Sequence, residues 1–132
     1  TGIGQACLDV AVPYALERKV FGSPIAEYQM IQDKIARMAA GVEISRTMFY
    51  SLIRACERGI NVNSEAAMLK LYSAEMAVHN SREAVQILGG AGLMEDYPAA
   101  RLYRDAKHHE IGAGTSEIQK LIISKETLKH YR

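Results

Sequence analysis

Two long stretches of this sequence repeat apolar residues in alternating steps of three and four, the spacing of helices packed lengthwise against others. From Tyr28 onward the first row is Ile31, Ile35, Met38, Val42, Ser45, Phe49, Leu52 and Cys56. The second row follows Ser64, the expected N-cap, and is Ala67, Leu71, Ala74, Val78, Ser81, Val85 and Leu88. Gly59 and the Gly89-Gly90 pair stand after these rows, where glycine commonly ends a helix. The rows therefore predict two long helices, the first of about 30 residues.

Three further helical segments accompany this pair. The first continues the same period to about Lys19 through Ile3, Cys7, Val10 and Tyr14. A short helix is predicted from Pro98 to about Lys107, because proline favours the first helical position. The last helix is predicted to open at Thr115. Residues 21–24 have the composition of a turn, and no segment predicts a strand. The predicted fold class is all-α, an antiparallel four-helix bundle with a short extra helix.

Length and charge limit the possible classes of protein. The chain has 132 residues, enough for one domain with a core of its own. Sixteen basic and fifteen acidic residues give a net charge of +1, so neither nucleic acid nor an anionic membrane surface is an expected partner. No apolar run is long enough to predict a membrane span. Because Thr1 has no methionine before it and runs straight into a helical pattern, we expect residues 1–132 to be a single helical domain truncated at its N-terminus.

The cysteines and histidines do not form a metal-binding pattern. Cys7 and Cys56 have no CxxC spacing and fall at apolar positions of the helical rows, so we expect buried free thiols and a reducing, intracellular compartment. His108-His109-Glu110 has the residue types of a metal site, but adjacent histidines in a regular element point to different faces. A solvated turn is the expectation for these three residues.

Three segments have patterns that fit either ligand binding or ordinary helix ends. Residues 112–117 lead into a helix N-terminus, where free N–H groups favour phosphate or carbonyl oxygens, but an ordinary capped helix start has the same pattern. Residues 86–92 end in three glycines within four residues, which is more than a C-cap needs. Arg18, close to Phe21 and Gly22, is either a diphosphate clamp or a cation that offsets a helix dipole.

Four motifs taken together resemble those of the acyl-CoA dehydrogenases. They are residues 17–25 (ERKVFGSPI), 86–90 (QILGG), 102–107 (LYRDAK) and 114–119 (GTSEIQ). They occur in the family's order and spacing and span nearly the whole chain, so the joint match is far more specific than any single glycine loop. The resemblance implies the helical C-terminal domain of a three-domain flavoprotein, whose N-terminal helical domain and middle β-domain would lie outside this chain.

The resemblance also implies which residues bind FAD in a homo-oligomer, a tetramer or a dimer. Six would contact the FAD of a neighbouring subunit: Arg18, Phe21, Gln29, Gln86, Gly89 and Gly90. Arg18 would meet the diphosphate, Phe21 would lie against the cofactor and Gln29 at its adenosine side, while the other three would approach the adenine-ribose end. Three more would hold the same subunit's FAD at the start of the last helix: Thr115, Ser116 and Glu117.

The implied reaction removes the α-proton of an acyl-CoA thioester with a carboxylate, while the β-hydrogen passes as hydride to the flavin. Many relatives carry this carboxylate where the present chain has Ala113, which cannot take a proton. Residues 111–115 are similar to those of the isovaleryl-CoA dehydrogenase branch, in which the base lies upstream on the first helix. We therefore expect no catalytic residue in this chain, no activity of the fragment alone, and Ala113 and Gly114 lining the pocket for a short or branched acyl group.

Two other functions remain open at this point. One is a non-catalytic helical binding or assembly module on the same fold, and the other is different flavin chemistry, such as an oxidase. An acidic residue one to three helical turns before Thr1 would favour the dehydrogenase. For a dehydrogenase, the resemblance implies electron-transfer flavoprotein as the electron acceptor. It also implies the mitochondrial matrix as location in a eukaryote, or the cytoplasm in a bacterium.

Overall fold

The computed structural model describes residues 1–132 and consists of five α-helices joined by short connections, which confirms the predicted all-α bundle. The helices are α1 (Gly2–Glu17), α2 (Gln29–Glu57), α3 (Asn63–Leu88), α4 (Ala99–Ile111) and α5 (Ser116–Lys129). Two 3-10 helices, Ile25–Glu27 and Gly89–Leu93, precede α2 and follow α3. None of the helices is both long and apolar enough to cross a membrane.

Helix α3 lies at the centre of the bundle and contacts each of the other four helices. The buried core around it is built mainly from α1, α2 and α3, and many of its members are small. They are Cys7, Leu8, Ala11, Ala15, Ile25, Met38, Val42, Met76, Ala84, Ile87, Leu88 and Ala99. Small side chains at these positions let the helix backbones approach one another closely.

Helices α1, α2 and α3 approach one another closely at Met76. A Cβ atom added to Gly4 would lie 2.6 Å from Met76 Sδ, and one added to Gly41 would lie 2.7 Å from Met76 Cγ. One turn further along α3, Asn80 is fully buried, and its Nδ2 donates to the carbonyl oxygens of Gly4 (3.3 Å) and Met38 (3.1 Å). A single amide thus joins three helices.

Helix boundaries differ from the predictions at α3 and α4. Helix α3 begins at Asn63 without a side-chain cap, so Ser64 lies inside its first turn. Pro98 is the N-cap residue of α4 and not its first helical residue. The solvated turn predicted at residues 108–110 was wrong, because α4 continues through it to Ile111. An ion pair between Lys107 and Glu110 and the bond from Gly112 N to His108 O stabilise that last turn.

The prediction of no strand was also wrong, by four residues. Strands β1 (Lys19–Val20) and β2 (Ser23–Pro24) pair in antiparallel fashion across the predicted turn. Phe21 and Gly22 form the tip and have φ of +52° and +89°, the combination that a tight hairpin loop of the mirror-image type requires. The hairpin projects between α1 and α2, and the Tyr28 hydroxyl donates to Val20 O at 2.7 Å.

The two cysteines have different environments. Both are free, as predicted. Cys7 is fully buried in the core, and burial raises the pKa of its thiol to about 12. Cys56 was expected to be buried but is exposed, because its apolar row continues along α2 beyond the point where another helix of the chain covers it.

Candidate functional site

The end of α1 and the end of α3 meet at a cleft that joins two of the sequence motifs. Arg18 is the C-cap residue of α1, and Gly89 and Gly90 follow the last residue of α3. We call this the diglycine cleft. It has a volume of about 410 Å³ and is lined by Tyr14, Arg18, Val20, Ile25, Ile87, Leu88, Gly89, Gly90 and Ala91. The structure therefore brings an arginine beside a bare stretch of backbone.

The two glycines differ in what requires them. Gly89 has φ +60° and ψ −135°, a backbone conformation that is essentially limited to glycine. Gly90 does not have a positive φ, and a Cβ atom added to it would meet nothing within 4 Å. Neither packing nor backbone conformation within this chain requires glycine at position 90. Its lack of a side chain suits the close approach of a group from outside the chain.

The other residues predicted to contact the same cofactor are exposed on the surface of the chain. Phe21 is 97% exposed at the tip of the hairpin. Gln29 is the exposed first residue of α2, and Gln86 is exposed on the last turn of α3. None of these three lines the diglycine cleft. Phe21 has a positive φ, and because its ring is almost fully exposed, burial within its own chain contributes almost nothing to stability.

A second cleft lies at the start of α5, which we call the Thr115 cleft. The last helix opens at Thr115, as predicted, and the Thr115 hydroxyl caps it by accepting a hydrogen bond from Ile118 N at 3.4 Å. The cleft has a volume of about 260 Å³ and is lined by Glu75, Lys107, Glu110, Ile111, Thr115, Ser116, Glu117 and Lys120. It contains all three residues that were predicted to hold FAD within one subunit.

The Thr115 cleft contains two ion pairs, Lys107 with Glu110 and Lys120 with Glu75, and Glu117 is a third carboxylate. Glu117 accepts from its own backbone N–H and from the Thr115 hydroxyl, and these bonds hold the pKa of its carboxyl below the ordinary value. The hydrogen bond to Glu110 raises the pKa of Lys107. By contrast, Ser116 is 6% exposed and its hydroxyl has no partner. A buried hydroxyl without a partner is costly, so Ser116 lacks a hydrogen bond that a buried hydroxyl ordinarily makes.

The loop before α5 has an unusual backbone. Ala113 and Gly114 have φ of +54° and +87°, and positive φ is uncommon for alanine. The backbone N–H groups of residues 113–116 donate to no acceptor in the chain. The carbonyl oxygen of Gly114, by contrast, accepts two hydrogen bonds, from Lys70 Nζ at 2.6 Å and from Gln119 Nε2 at 3.2 Å. The loop therefore presents free donors on one side and is held from the other.

Comparison with known proteins identifies the family. The family model described as "Acyl-CoA dehydrogenase, C-terminal domain" matches residues 1–128. The chain belongs to the acyl-CoA dehydrogenase family. It is 48% identical over 128 residues to isovaleryl-CoA dehydrogenase, mitochondrial, of Oryza sativa subsp. japonica, which covers 97% of this chain and 31% of that protein. It is 44% identical over 131 residues to short-chain specific acyl-CoA dehydrogenase, mitochondrial, of Bos taurus, covering 99% and 32%.

A solved acyl-CoA dehydrogenase structure has the same fold. The glutaryl-coenzyme A dehydrogenase glutaryl-CoA complex superposes with a TM-score of 0.93 at 40% identity, over 97% of this chain and 33% of that one. The chain thus spans about a third of the length of the relatives it matches.

Within this acyl-CoA dehydrogenase domain, some residues near the site were not predicted from the sequence. Lys70 and Gln119 hold the loop at residues 112–115, and Lys107 and Lys120 line the Thr115 cleft. Lys107 and Gln119 lie within the third and last motifs, whereas an isolated lysine within a helix, such as Lys70, gives no signal in a single sequence. No group of three or more His, Cys, Asp or Glu residues is arranged to hold a metal ion.

Proposed function

We propose that this chain is the C-terminal FAD-binding and oligomerisation domain of an acyl-CoA dehydrogenase that acts on short or branched-chain acyl-CoA. In this proposal the catalytic base lies outside residues 1–132. The observation that carries it is the family match over residues 1–128, together with the two clefts in which the family's motifs meet. Relatives whose names specify isovaleryl-CoA and short-chain substrates favour this substrate class.

The residues present fit FAD in two places. At the diglycine cleft, the Arg18 guanidinium and the bare backbone of Gly89 and Gly90 suit a diphosphate and the flat ring system next to it. At the Thr115 cleft, the unpartnered Ser116 hydroxyl and the free N–H groups at the helix start suit a second part of such a ligand. We assign the first site to a neighbouring subunit's FAD and the second to the subunit's own.

The remaining assignments follow the same division. The exposed Phe21, Gln29 and Gln86 would contact the neighbouring subunit's cofactor. Thr115, Ser116 and Glu117 would hold the FAD of their own subunit. When bound, FAD supplies the acceptor for the hydride that leaves the substrate.

The chain's own contribution to the reaction is positioning. Ala113 has no group that takes a proton, and in this proposal, which follows the resemblance to the isovaleryl-CoA dehydrogenase branch, the proton passes to a carboxylate beyond these residues. The free N–H groups of Ala113 and Gly114 are available to donate to a carbonyl oxygen such as that of a thioester. Both residues are exposed, which leaves room for an acyl chain beside them.

An apolar groove between α2 and α3 supports a homo-oligomer. We call it the α2–α3 groove; its volume is about 460 Å³, and it is lined by Phe49, Leu52, Ile53, Cys56, Glu57, Val62, Ala66, Leu69, Lys70 and Ser73. Apolar surface of this kind is typical of subunit interfaces. We assign it to a second copy of the chain, in keeping with a cofactor shared between subunits. Electron-transfer flavoprotein is the acceptor we propose, in the mitochondrial matrix or a bacterial cytoplasm.

Flavin content tests the diglycine cleft. In the full-length protein, we expect Arg18→Ala to lower the FAD retained through purification by about tenfold, because Arg18 lines the cleft and its guanidinium suits a diphosphate, whereas Lys19 does not line it. Lys19→Ala is the matched control and should retain wild-type flavin. Equal flavin in the two variants would remove Arg18 from the site.

Turnover tests the position of the base. We expect the full-length protein to oxidise isovaleryl-CoA with a dye acceptor and residues 1–132 alone to show no activity. Replacement of the acidic residue upstream of Thr1 should lower turnover by several orders of magnitude, and adding Ala113→Glu should recover part of it. A full-length protein that binds FAD but oxidises no acyl-CoA would favour the non-catalytic binding module.

A further inference from the structure

One carbonyl oxygen fixes the loop between α4 and α5. Gly114 O accepts from Lys70 Nζ at 2.6 Å, across 44 residues of sequence, and from Gln119 Nε2 at 3.2 Å. Two donors satisfy both lone pairs of this oxygen, and the bond from the ammonium group is charge-assisted and therefore the stronger type. Lys70 forms no salt bridge in the chain, and Gly114 O is the hydrogen-bond acceptor that its ammonium reaches. The ammonium group of Lys70 therefore binds the loop between α4 and α5.

Fixing the Gly114 carbonyl also fixes the direction of the N–H on the opposite side of the same peptide unit. In a planar trans peptide, the C=O of one residue and the N–H of the next point in opposite directions. Holding Gly114 C=O towards α3 therefore turns the N–H of Thr115 away from α3. The left-handed backbone of Ala113 and Gly114 needs such external support, because positive φ costs roughly 1 kcal/mol or more for alanine.

We propose that Lys70 is a positioning residue for the reaction. Its bond to Gly114 holds residues 113–116 in the turn that presents their free N–H groups to the thioester and the flavin. The inference rests on the proposed function for what the loop contacts, but the constraint on the loop is independent of it. Lys70 itself touches neither ligand in this scheme.

Hydrogen–deuterium exchange in the full-length holoenzyme tests the constraint on the loop. In Lys70→Met, we expect the amides of Gly112, Ile118 and Gln119 to exchange roughly tenfold faster or more, because each donates to an acceptor within or beside the loop and the charge-assisted bond that fixes the loop is lost. Lys70→Arg keeps a cationic donor and should restore most of the protection. Lys125→Met, on an exposed turn of α5, is the control and should exchange at the wild-type rate. Unchanged exchange in Lys70→Met would overturn the proposal.

Steady-state kinetics with isovaleryl-CoA test the consequence for catalysis. Hydrogen bonds to a carbonyl oxygen strengthen as negative charge develops on it, so misdirected donors lower kcat more than they raise KM. We expect kcat of Lys70→Met to fall by about tenfold or more with a change in KM below about threefold, and Lys70→Arg to recover kcat. A loss confined to KM, or an equal loss in Lys125→Met, would contradict a positioning role.

Two further outcomes separate this inference from its alternatives. If the wild-type protein oxidises no acyl-CoA, the proposed function fails, while the exchange experiment still decides whether Lys70 holds the loop. If Lys70→Met does not fold, Gln119→Leu removes the second donor to the same oxygen. Faster exchange of the Gly112 and Ile118 amides in that variant would support the shared carbonyl as the fixing point, and wild-type exchange would overturn it.

Discussion

The middle of the bundle and the outer ends of α2 and α3 carry the same three-four repeat of apolar residues, but only the middle is covered. Met38 and Val42 are 0% and 2% exposed, whereas Phe49 and Ile53, further along the same helix, are 46% and 38% exposed. In the middle, Gly4 and Gly41 lie against Met76, and the buried amide of Asn80 donates to the carbonyl oxygen of Gly4. At the outer end, the repeat borders the α2–α3 groove.

The difference shows what a repeat of this kind determines. Periodicity states which side chains share a face of a helix, and both regions obey it. Coverage depends on whether another element of the same chain reaches that face. Helix α1 reaches α2 and α3 at Gly4, but no helix of this chain fills the groove near Phe49, so we expect a second copy to do so.

The largest expected effect comes from placing a charge in the groove. Ile53→Glu in the full-length protein should weaken subunit association by about 4 kcal/mol, roughly a thousandfold in the dissociation constant, because the carboxylate would be desolvated in an apolar contact. Sedimentation velocity measures the shift to smaller species. Thr47→Glu, already polar and exposed on the same helix, should assemble as the wild type does. Normal assembly of Ile53→Glu would place the subunit contact elsewhere.

The next effect concerns the middle of the bundle. Asn80→Ala should lower the free energy of unfolding by about 3 kcal/mol, because two buried hydrogen bonds are lost and a cavity remains. Chemical denaturation followed by circular dichroism gives the value. Asn63→Ala, at an exposed position at the start of α3, should change it by less than about 0.5 kcal/mol. Similar values for the two variants would show that the amide does not join the helices.

A pair of glycines sharpens the comparison further. Gly41→Ala should destabilise the fold by about 1 kcal/mol, since the new methyl group lies against Met76 and the clash outweighs the gain in helix propensity. Gly90→Ala meets no atom of the chain and should leave the melting temperature unchanged while lowering flavin retention. A loss of stability in Gly90→Ala with normal flavin content would mean that position 90 serves folding and not a ligand.

The smallest effect is the pH dependence from the buried ion pair between α2 and α3. Burial alone raises the pKa of Glu83, but hydrogen bonds from Lys34 and Arg82 outweigh it and hold the pKa below the ordinary 4.5. A carboxyl whose pKa is lowered by folding stabilises the fold above that ordinary value and loses this contribution as pH falls below it.

Glu83→Gln should therefore flatten the fall of stability with acid below about pH 4.5, by less than about 1 kcal/mol. Denaturation at several pH values in Glu83→Gln, wild type and the exposed control Glu65→Gln measures the slopes. A slope in Glu83→Gln as steep as that of the wild type would assign the acid sensitivity to other carboxylates.

Local signals in the sequence predicted most of the fold and part of the site. The rows from Ile31 and Ala67 predicted α2 and α3, and the stop at Gly89 and the opening of the last helix at Thr115 were confirmed. The hairpin at residues 19–24 was missed because two-residue strands are too short to show alternation. Cys56 was wrongly predicted to be buried, because its apolar row shows which face of α2 it lies on but not whether another element packs against that face.

The sequence by itself determined the helices and the family, because the 3.6-residue period and the four motifs are properties of neighbouring residues. Only the tertiary structure decided which distant groups meet. It placed Arg18 beside Gly90 and directed Lys70 to a backbone carbonyl at Gly114. The acceptor is a backbone carbonyl, which every residue has, and the glycine that carries it has no side chain. A pattern of residue types therefore cannot indicate such a contact, which arises from the packing of α3 against the start of α5.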